Sequence, residues 1–234
     1  MARTQNEIVE NLYIIPGLVN IFILDLPGGL TLIDTGFERD TQKILQAIKA
    51  VGKAPEDLKH ILLTHAHPDH VGGAAALKKL TGARIYAHGV DAPLIETGGP
   101  PRPMQAAPGI RNMIFFRLLR MMPSRFSPVK VDSLLQDGVP VPFDGNLVPI
   151  HVPGHCAGQL AFRWNKGGGV LFAADACINR NGMVLAAAQE DINEARRSLV
   201  TLASLDFETA CFGHGPPIVS EAARCFKERW LSPI

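Results

Sequence analysis

Three histidines and an aspartate, His65, His67, Asp69 and His70, crowd into the segment Thr64-His65-Ala66-His67-Pro68-Asp69-His70. Imidazole nitrogens and carboxylate oxygens are the donors that zinc and related divalent ions take, and side chains two residues apart in a loop can converge on one ion. His65 and His67 therefore suit a first ion, and Asp69 and His70 can aim at a second. A histidine-rich surface loop without chemistry would need this density by chance and no further ligands along the chain. Further ligands do follow, each after an apolar run that reads as a strand. His155 follows Leu147–Gly154, Asp175 follows Val170–Ala174 and His214 follows Ala210–Gly213. If Asp175 bridges, these residues supply three nitrogens to one ion and two nitrogens with Asp69 to the other, with a hydroxide between the ions.

The elements that must position these ligands can be placed from pattern. Ile8–Ile15, Leu18–Leu26 and Leu30–Ile33 are rich in β-branched and aliphatic residues, with a turn at Pro27-Gly28-Gly29, and predict an opening meander that ends at Asp34. Ile44, Leu45, Ile48 and Val51 recur at helical spacing over Asp40–Val51, with Gly52 as terminator. Lys59–Leu63 is the short buried strand that delivers the histidine loop, and Val71–Leu80 the helix that follows, closed by Gly82. Gly72 and Gly73 let its start approach other backbone closely. Arg84–Ala87 completes a strand-helix-strand unit. The second half repeats the plan, with strands Asn146–Val152, Gln159–Trp164 and Val170–Ala174 and helices Asp191–Leu205 and Val219–Leu231. His60 and His88 read as surface residues, and His151 as a hydrogen-bonded structural histidine.

An insertion at about 97–135 separates the halves. Its residues 97–131 include six basic side chains, Arg102, Arg111, Arg117, Arg120, Arg125 and Lys130, and no acidic one. Ile110–Met122 is apolar on nearly every side, a pattern that does not stay solvated as a lone helix. The reading preferred here is a lid on the metal cleft, in which Phe115 and Phe116 take an apolar substrate tail and Arg117 pairs with a substrate carboxylate or phosphate. A homodimer seat shares that helix as an alternative, and burial against its own domain is the plain one. Membrane binding ranks lower, because the arginines fall around the helix instead of along one face.

The chain resembles the metallo-β-lactamase superfamily. The resemblance rests on the H-x-H-x-D-H pattern of His65–His70, on Leu32-Ile33-Asp34-Thr35-Gly36 upstream, and on Gly154-His155, Ala174-Asp175 and Gly213-His214-Gly215 in that order. It implies an α/β fold, the four-layer αβ/βα sandwich of that family, with metals at one edge. It also implies His65, His67, His155 and Asp175 on one ion and Asp69, His70, His214 and Asp175 on the other, with Asp34 orienting the metal loop. From the residues alone, Asp34 reads equally well as a strand-end turn carboxylate.

Two divalent ions, Zn2+ or in its place Mn2+, Fe2+ or Co2+, would make a bridging hydroxide available at neutral pH for hydrolysis of a small-molecule ester, lactone or thioester. Asp69 would orient that hydroxide and carry its proton to the leaving group. A bridging Asp175 resembles the glyoxalase II, lactonase and phosphodiesterase branches and not the true β-lactamases. Departures occur at Ile178, where acyl-homoserine lactonases carry tyrosine, and at Cys177–Asn181, where glyoxalase II carries a glycine-cysteine-glycine-arginine segment. A phosphodiesterase and a mononuclear iron persulfide dioxygenase share the ligand pattern and stand as alternatives.

Composition bounds these readings. At 234 residues with 47% hydrophobic side chains the chain reads as one domain with one sizeable core, and a net charge of +1 argues against nucleic acid as a partner. No secretory signal or membrane-length apolar run is legible, which predicts a soluble, cytoplasmic enzyme acting on a small molecule. The four cysteines lack C-x-x-C spacing and read as reduced thiols.

Overall fold

The computed structural model describes residues 6–121 and 124–231. Its contacts divide the chain into two compact units. One takes the chain up to Pro101 together with Arg125–Leu135, and the other takes Arg102–Ser124 together with the chain from Gln136 onward.

The first unit opens with β1 (Glu7–Val9), β2 (Leu12–Ile15), β3 (Ile21–Leu26) and β4 (Gly29–Ile33). They form the antiparallel meander, but the run expected as one strand from Ile8 to Ile15 is broken into a hairpin. Asn11 adopts a left-handed φ of 65° there, a conformation asparagine tolerates better than β-branched neighbours do. Next come α1 (Thr41–Ala50), β5 (Leu58–Leu62), α2 (Pro68–Val71), α3 (Ala74–Thr81), β6 (Arg84–His88) and α4 (Ala92–Thr97). The chain leaves this unit for β7 (Gln105–Ala106) and α5 (Ile110–Leu119) and returns for β8 (Ser133–Leu135). The strand order is β1-β2-β3-β4-β5-β6-β8, parallel from β4 onward. Ile44 and Ile48 of α1 and Leu77 of α3 are buried in one cluster with Ile23, Leu32 and Ile61. Each such side chain contributes about 1.5–3 kcal/mol when fully buried, so the apolar spacing of α1 explains its attachment.

The helix expected at Val71–Leu80 starts earlier. Pro68 occupies the first turn of α2, where its missing N–H costs nothing, so Asp69 and His70 stand on a helical turn instead of a loop. Gly72 and Gly73 are required by close packing. A Cβ on Gly72 would lie 2.9 Å from Phe37 Cα, and one on Gly73 would lie 2.7 Å from the Thr35 carbonyl oxygen. His60 is half-buried rather than on the surface, because its Nδ1 reaches the Tyr86 hydroxyl at 3.1 Å.

In the second unit β9 (Leu147–His151), β10 (Leu160–Trp164) and β11 (Val170–Phe172) are antiparallel neighbours. The short strands β12 (Ile178–Asn179), β13 (Met183–Val184) and β14 (Ala188–Gln189) follow, then α6 (Ile192–Ala203), β15 (Thr209–Cys211) and α7 (Ala222–Trp230). β15 joins β11 in parallel to give the order β15-β11-β10-β9. Two pairs stand apart, β12 with β13 and β14 with β7. Leu199 and Leu202 of α6 and Phe226 of α7 close the core with Leu171 and Phe212.

The inserted helix belongs to this second unit, and it is solvated over most of its surface. Only Asn112 and Phe116, four residues apart, are half-buried among its described side chains, which makes the contact a single narrow seam. Ile110, Met113, Ile114, Leu118 and, just beyond the helix, Met121 are exposed, against the expectation that this stretch cannot face water. Met122 lies outside the described residues.

Candidate metal centre

In the first unit, β4 and β5 run parallel and release their ends side by side, so Asp34 and Thr64 meet. Asp34 carries a φ of 61° and is buried. Its Oδ1 accepts the Thr64 N–H at 2.8 Å, its Oδ2 accepts the Thr64 hydroxyl at 2.8 Å, and Oδ2 also lies 2.7 Å from His70 Nδ1. The Thr35 N–H and hydroxyl both donate to the His70 carbonyl, at 2.8 and 2.9 Å. Thr64 Oγ1 reaches His65 Nδ1 at 3.0 Å, and His65 Nε2 lies 3.0 Å from His67 Nδ1. The His65 and His70 rings are 4.0 Å apart between centroids, and Asp69 Oδ2 is 3.9 Å from His70 Nε2. The structure thus gathers His65, His67, Asp69, His70 and Asp34 in one unit.

Asp91 belongs to this arrangement and sequence reading missed it. Just before Ala92-Pro93 it looks like an ordinary helix cap, yet its side chain makes no cap bond to α4. It is fully buried, and its Oδ2 accepts the Ala66 N–H at 3.0 Å, fixing the middle of the histidine loop.

In the second unit, three separate loops bring His155, Asp175 and His214 together. Asp175 Oδ2 lies 3.7 Å from His155 Nε2 and 3.2 Å from His214 Nε2. His155 Nδ1 is 2.7 Å from the Ala188 carbonyl oxygen, which commits that nitrogen to donating and turns Nε2 toward Asp175. Gly154 precedes it with a φ of 136°, and a Cβ there would sit 2.2 Å from the Ala195 nitrogen. The His214 loop is held by Asn179, whose N–H donates to the His214 carbonyl at 3.0 Å and whose amide donates to the Pro216 carbonyl at 2.8 Å. Burial pushes the Cys177 and Cys211 thiols well above the ordinary cysteine range, so neither is a nucleophile at neutral pH.

Phe115, Phe116 and Arg117 stand on α5, away from either cluster in sequence. Phe115 and Arg117 are exposed, and the Arg180 guanidinium lies 6.0 Å from the Phe115 ring centroid.

The donor chemistry of each cluster fits divalent ions. Imidazoles and carboxylates predominate, most are buried, and His70 and His155 each have Nδ1 engaged by an oxygen, the arrangement that fixes the ligating nitrogen of metal-binding histidines. Ring nitrogens 3.0 Å apart, as in His65 and His67, suit two ligands on one ion with bonds of about 2.0–2.1 Å.

Comparison with known proteins agrees. Residues 14–214 match the model of the metallo-beta-lactamase superfamily. A probable metallo-hydrolase, YflN, of Bacillus subtilis (strain 168) is 28% identical over 88% of this chain and 84% of its own length. A hydroxyacylglutathione hydrolase of Pseudomonas aeruginosa (strain LESB58) is 34% identical over 50% of this chain, a match that spans 33% of that enzyme. Among solved structures, a beta-lactamase from Chitinophaga pinensis superposes with a TM-score of 0.73 at 27% identity, covering 95% of this chain and 88% of its own. With a family match over most of its length and the histidine and aspartate clusters in place, the chain belongs to the metallo-β-lactamase superfamily.

Proposed function

We propose that this protein is a metal-dependent hydrolase of small-molecule esters, lactones or thioesters, with His65, His67, His155 and Asp175 serving one divalent ion and Asp69, His70, His214 and Asp175 a second. The observation that carries the reading is the position of Asp175. Its Oδ2 lies 3.7 Å from His155 Nε2 and 3.2 Å from His214 Nε2, two histidines that the family resemblance assigns to different ions, so Asp175 is the residue that would serve both. Zinc suits the nitrogen and oxygen donors, and manganese, iron or cobalt takes the same set. The relatives named as hydrolases support the reaction class, and the hydroxyacylglutathione hydrolases among them support a thioester or ester substrate.

Bound there, such ions would supply an activated water near neutral pH and a Lewis acid for the substrate oxygen. The protein's own groups do the rest. Asp34 and Ala188 hold His70 and His155 in their ring orientations, and the half-exposed Asp69 is the carboxylate that takes the proton from the attacking water and passes it to the leaving oxygen or sulfur. Phe115, Phe116 and Arg117 of α5 contact the apolar and anionic parts of the substrate.

Metal analysis and an Asp69→Asn variant test the reading together. The expected result is two bound ions per chain, and in the variant a kcat lowered far more than KM is raised. One iron per chain with oxygen uptake on a persulfide, or an unchanged kcat in the fully loaded variant, overturns it.

A further inference from the structure

His155 is held in place by residues distant in sequence. Glu190 contacts its loop on both sides. The Glu190 N–H donates to the His155 carbonyl at 3.2 Å, and Glu190 Oε2 accepts the Ala157 N–H at 2.9 Å. The Ala157 peptide is held at its other end too, since His151 Nε2 lies 2.8 Å from the Ala157 carbonyl oxygen. Two residues before Glu190, the Ala188 carbonyl fixes His155 Nδ1. The segment that carries both contacts is tied to the insertion, because the two-residue strand β14 pairs, among the described residues, with β7, Ala188 opposite Ala106 and Gln189 opposite Gln105. The insertion also grips Glu190 directly. Arg102 Nη1 lies 3.4 Å from Glu190 Oε1, with side chains 26% and 12% exposed, and the Gln105 amide donates to the Glu190 carbonyl at 3.3 Å.

We propose that Glu190, held by Arg102, is a positioning residue for His155, and that the start of the insertion is thereby part of the framework of the metal centre. The carboxylate shares its two oxygens between a backbone N–H beside the ligand and a guanidinium on the insertion, so a change at Arg102 is transmitted to the His155 loop. Hydrogen bonds made directly to a ligand typically affect metal affinity by about 10–100-fold, and the Glu190 side chain acts one step further out, through the Ala157 N–H, so its effect belongs at the lower end of that range. The proposal rests on the reading of His155 as a metal ligand, and the experiment separates the two.

Cobalt is loaded into wild type, Glu190→Ala, Glu190→Gln, Arg102→Ala and His155→Ala, and affinity is measured by competition with a chelator while the visible absorption of the bound cobalt is recorded. Glu190→Ala is expected to bind cobalt about tenfold more weakly with a displaced absorption band. Glu190→Gln, which keeps an acceptor for the Ala157 N–H but loses the charge partner of Arg102, is expected to recover only part of that loss, and Arg102→Ala to show the same partial weakening with a displaced band. Wild-type affinity and spectrum in Glu190→Ala and Arg102→Ala, with binding lost in His155→Ala, overturn the positioning role alone. Unchanged binding in His155→Ala brings down the metal assignment beneath it. Should Glu190→Ala fail to fold, Arg102→Ala and Glu190→Gln decide the matter, and wild-type values in both overturn the proposal.

Discussion

The Asp34 carboxylate lies 2.7 Å from His70 Nδ1, with both side chains almost fully removed from solvent. An acceptor that close fixes the imidazole's tautomer and its ring plane, and the same carboxylate ties down Thr64 at the start of the histidine loop. Asp34→Asn keeps the shape but turns one of the two acceptor oxygens into an amide N–H, which must then face either His70 Nδ1 or the Thr64 N–H. Metal affinity in this variant is expected to fall by about 10–100-fold, measured by chelator competition. Wild-type affinity would show that His70 is oriented by other contacts.

Two glycine substitutions should differ sharply in cost. Gly215 has a φ of 92°, and a Cβ there would lie 1.8 Å from the Asn179 carbonyl oxygen, inside the brace that holds His214. Gly52 has a φ of 78°, but a Cβ there would meet no atom within 4 Å. Left-handed backbone costs a non-glycine residue about 1–3 kcal/mol in either place, and only Gly215→Ala adds a clash with rigid backbone. Thermal melts should show a clearly larger loss for Gly215→Ala, accompanied by weaker metal binding. Equal melting temperatures for the two variants would contradict the packing around Asn179.

His60 gives stability a pH dependence. Burial lowers its pKa below the usual 6.5, Gly28 raises it in part, and Arg84 and Lys59 lower it further. Above the unfolded pKa the imidazole is neutral in both states and contributes no slope. As pH falls through 6.5 the unfolded chain takes up a proton that the folded chain resists, so stability declines until the folded imidazole is itself protonated. Between pH 7.5 and pH 5.5, roughly the window around that ordinary value, the melting temperature of His60→Asn should fall less than that of wild type. Parallel curves would place the pH dependence elsewhere.

The exposed Phe115 and half-buried Phe116 of α5 predict a substrate effect. If Phe115 and Phe116 take an apolar tail, KM should fall as the acyl chain of a substrate series lengthens, and the double alanine variant should lose that trend while kcat for the shortest substrate is retained. A KM that never responds to chain length would remove α5 from substrate binding.

Much of this molecule is legible residue by residue. The alternation and apolar runs of Leu30–Ile33 and Lys59–Leu63 place β4 and β5 to within a residue, and the spacing of Ile44 and Ile48 places α1, because burying apolar side chains on one face leaves a local periodic trace. The break at Asn11 escaped notice because a single left-handed residue leaves no periodicity. The strands β7, β12, β13 and β14 escaped for a related reason, since two residues are too few to show any pattern.

The sequence by itself determined the donor set. Histidines and aspartates at His65–His70, His155, Asp175 and His214 are donor types that suit a divalent ion, and their order along the chain matches a family pattern. Only the tertiary structure decided which groups hold those donors in place. Asp91 reaches Ala66 across 25 residues, Asp34 reaches His70 across 36, and the Ala188 carbonyl reaches His155 across 33. A hydrogen bond to a ligand's other nitrogen or to its loop needs only an acceptor at the right point in space. Any carboxylate or backbone carbonyl can supply one, so nothing in the residue types announces which of them will.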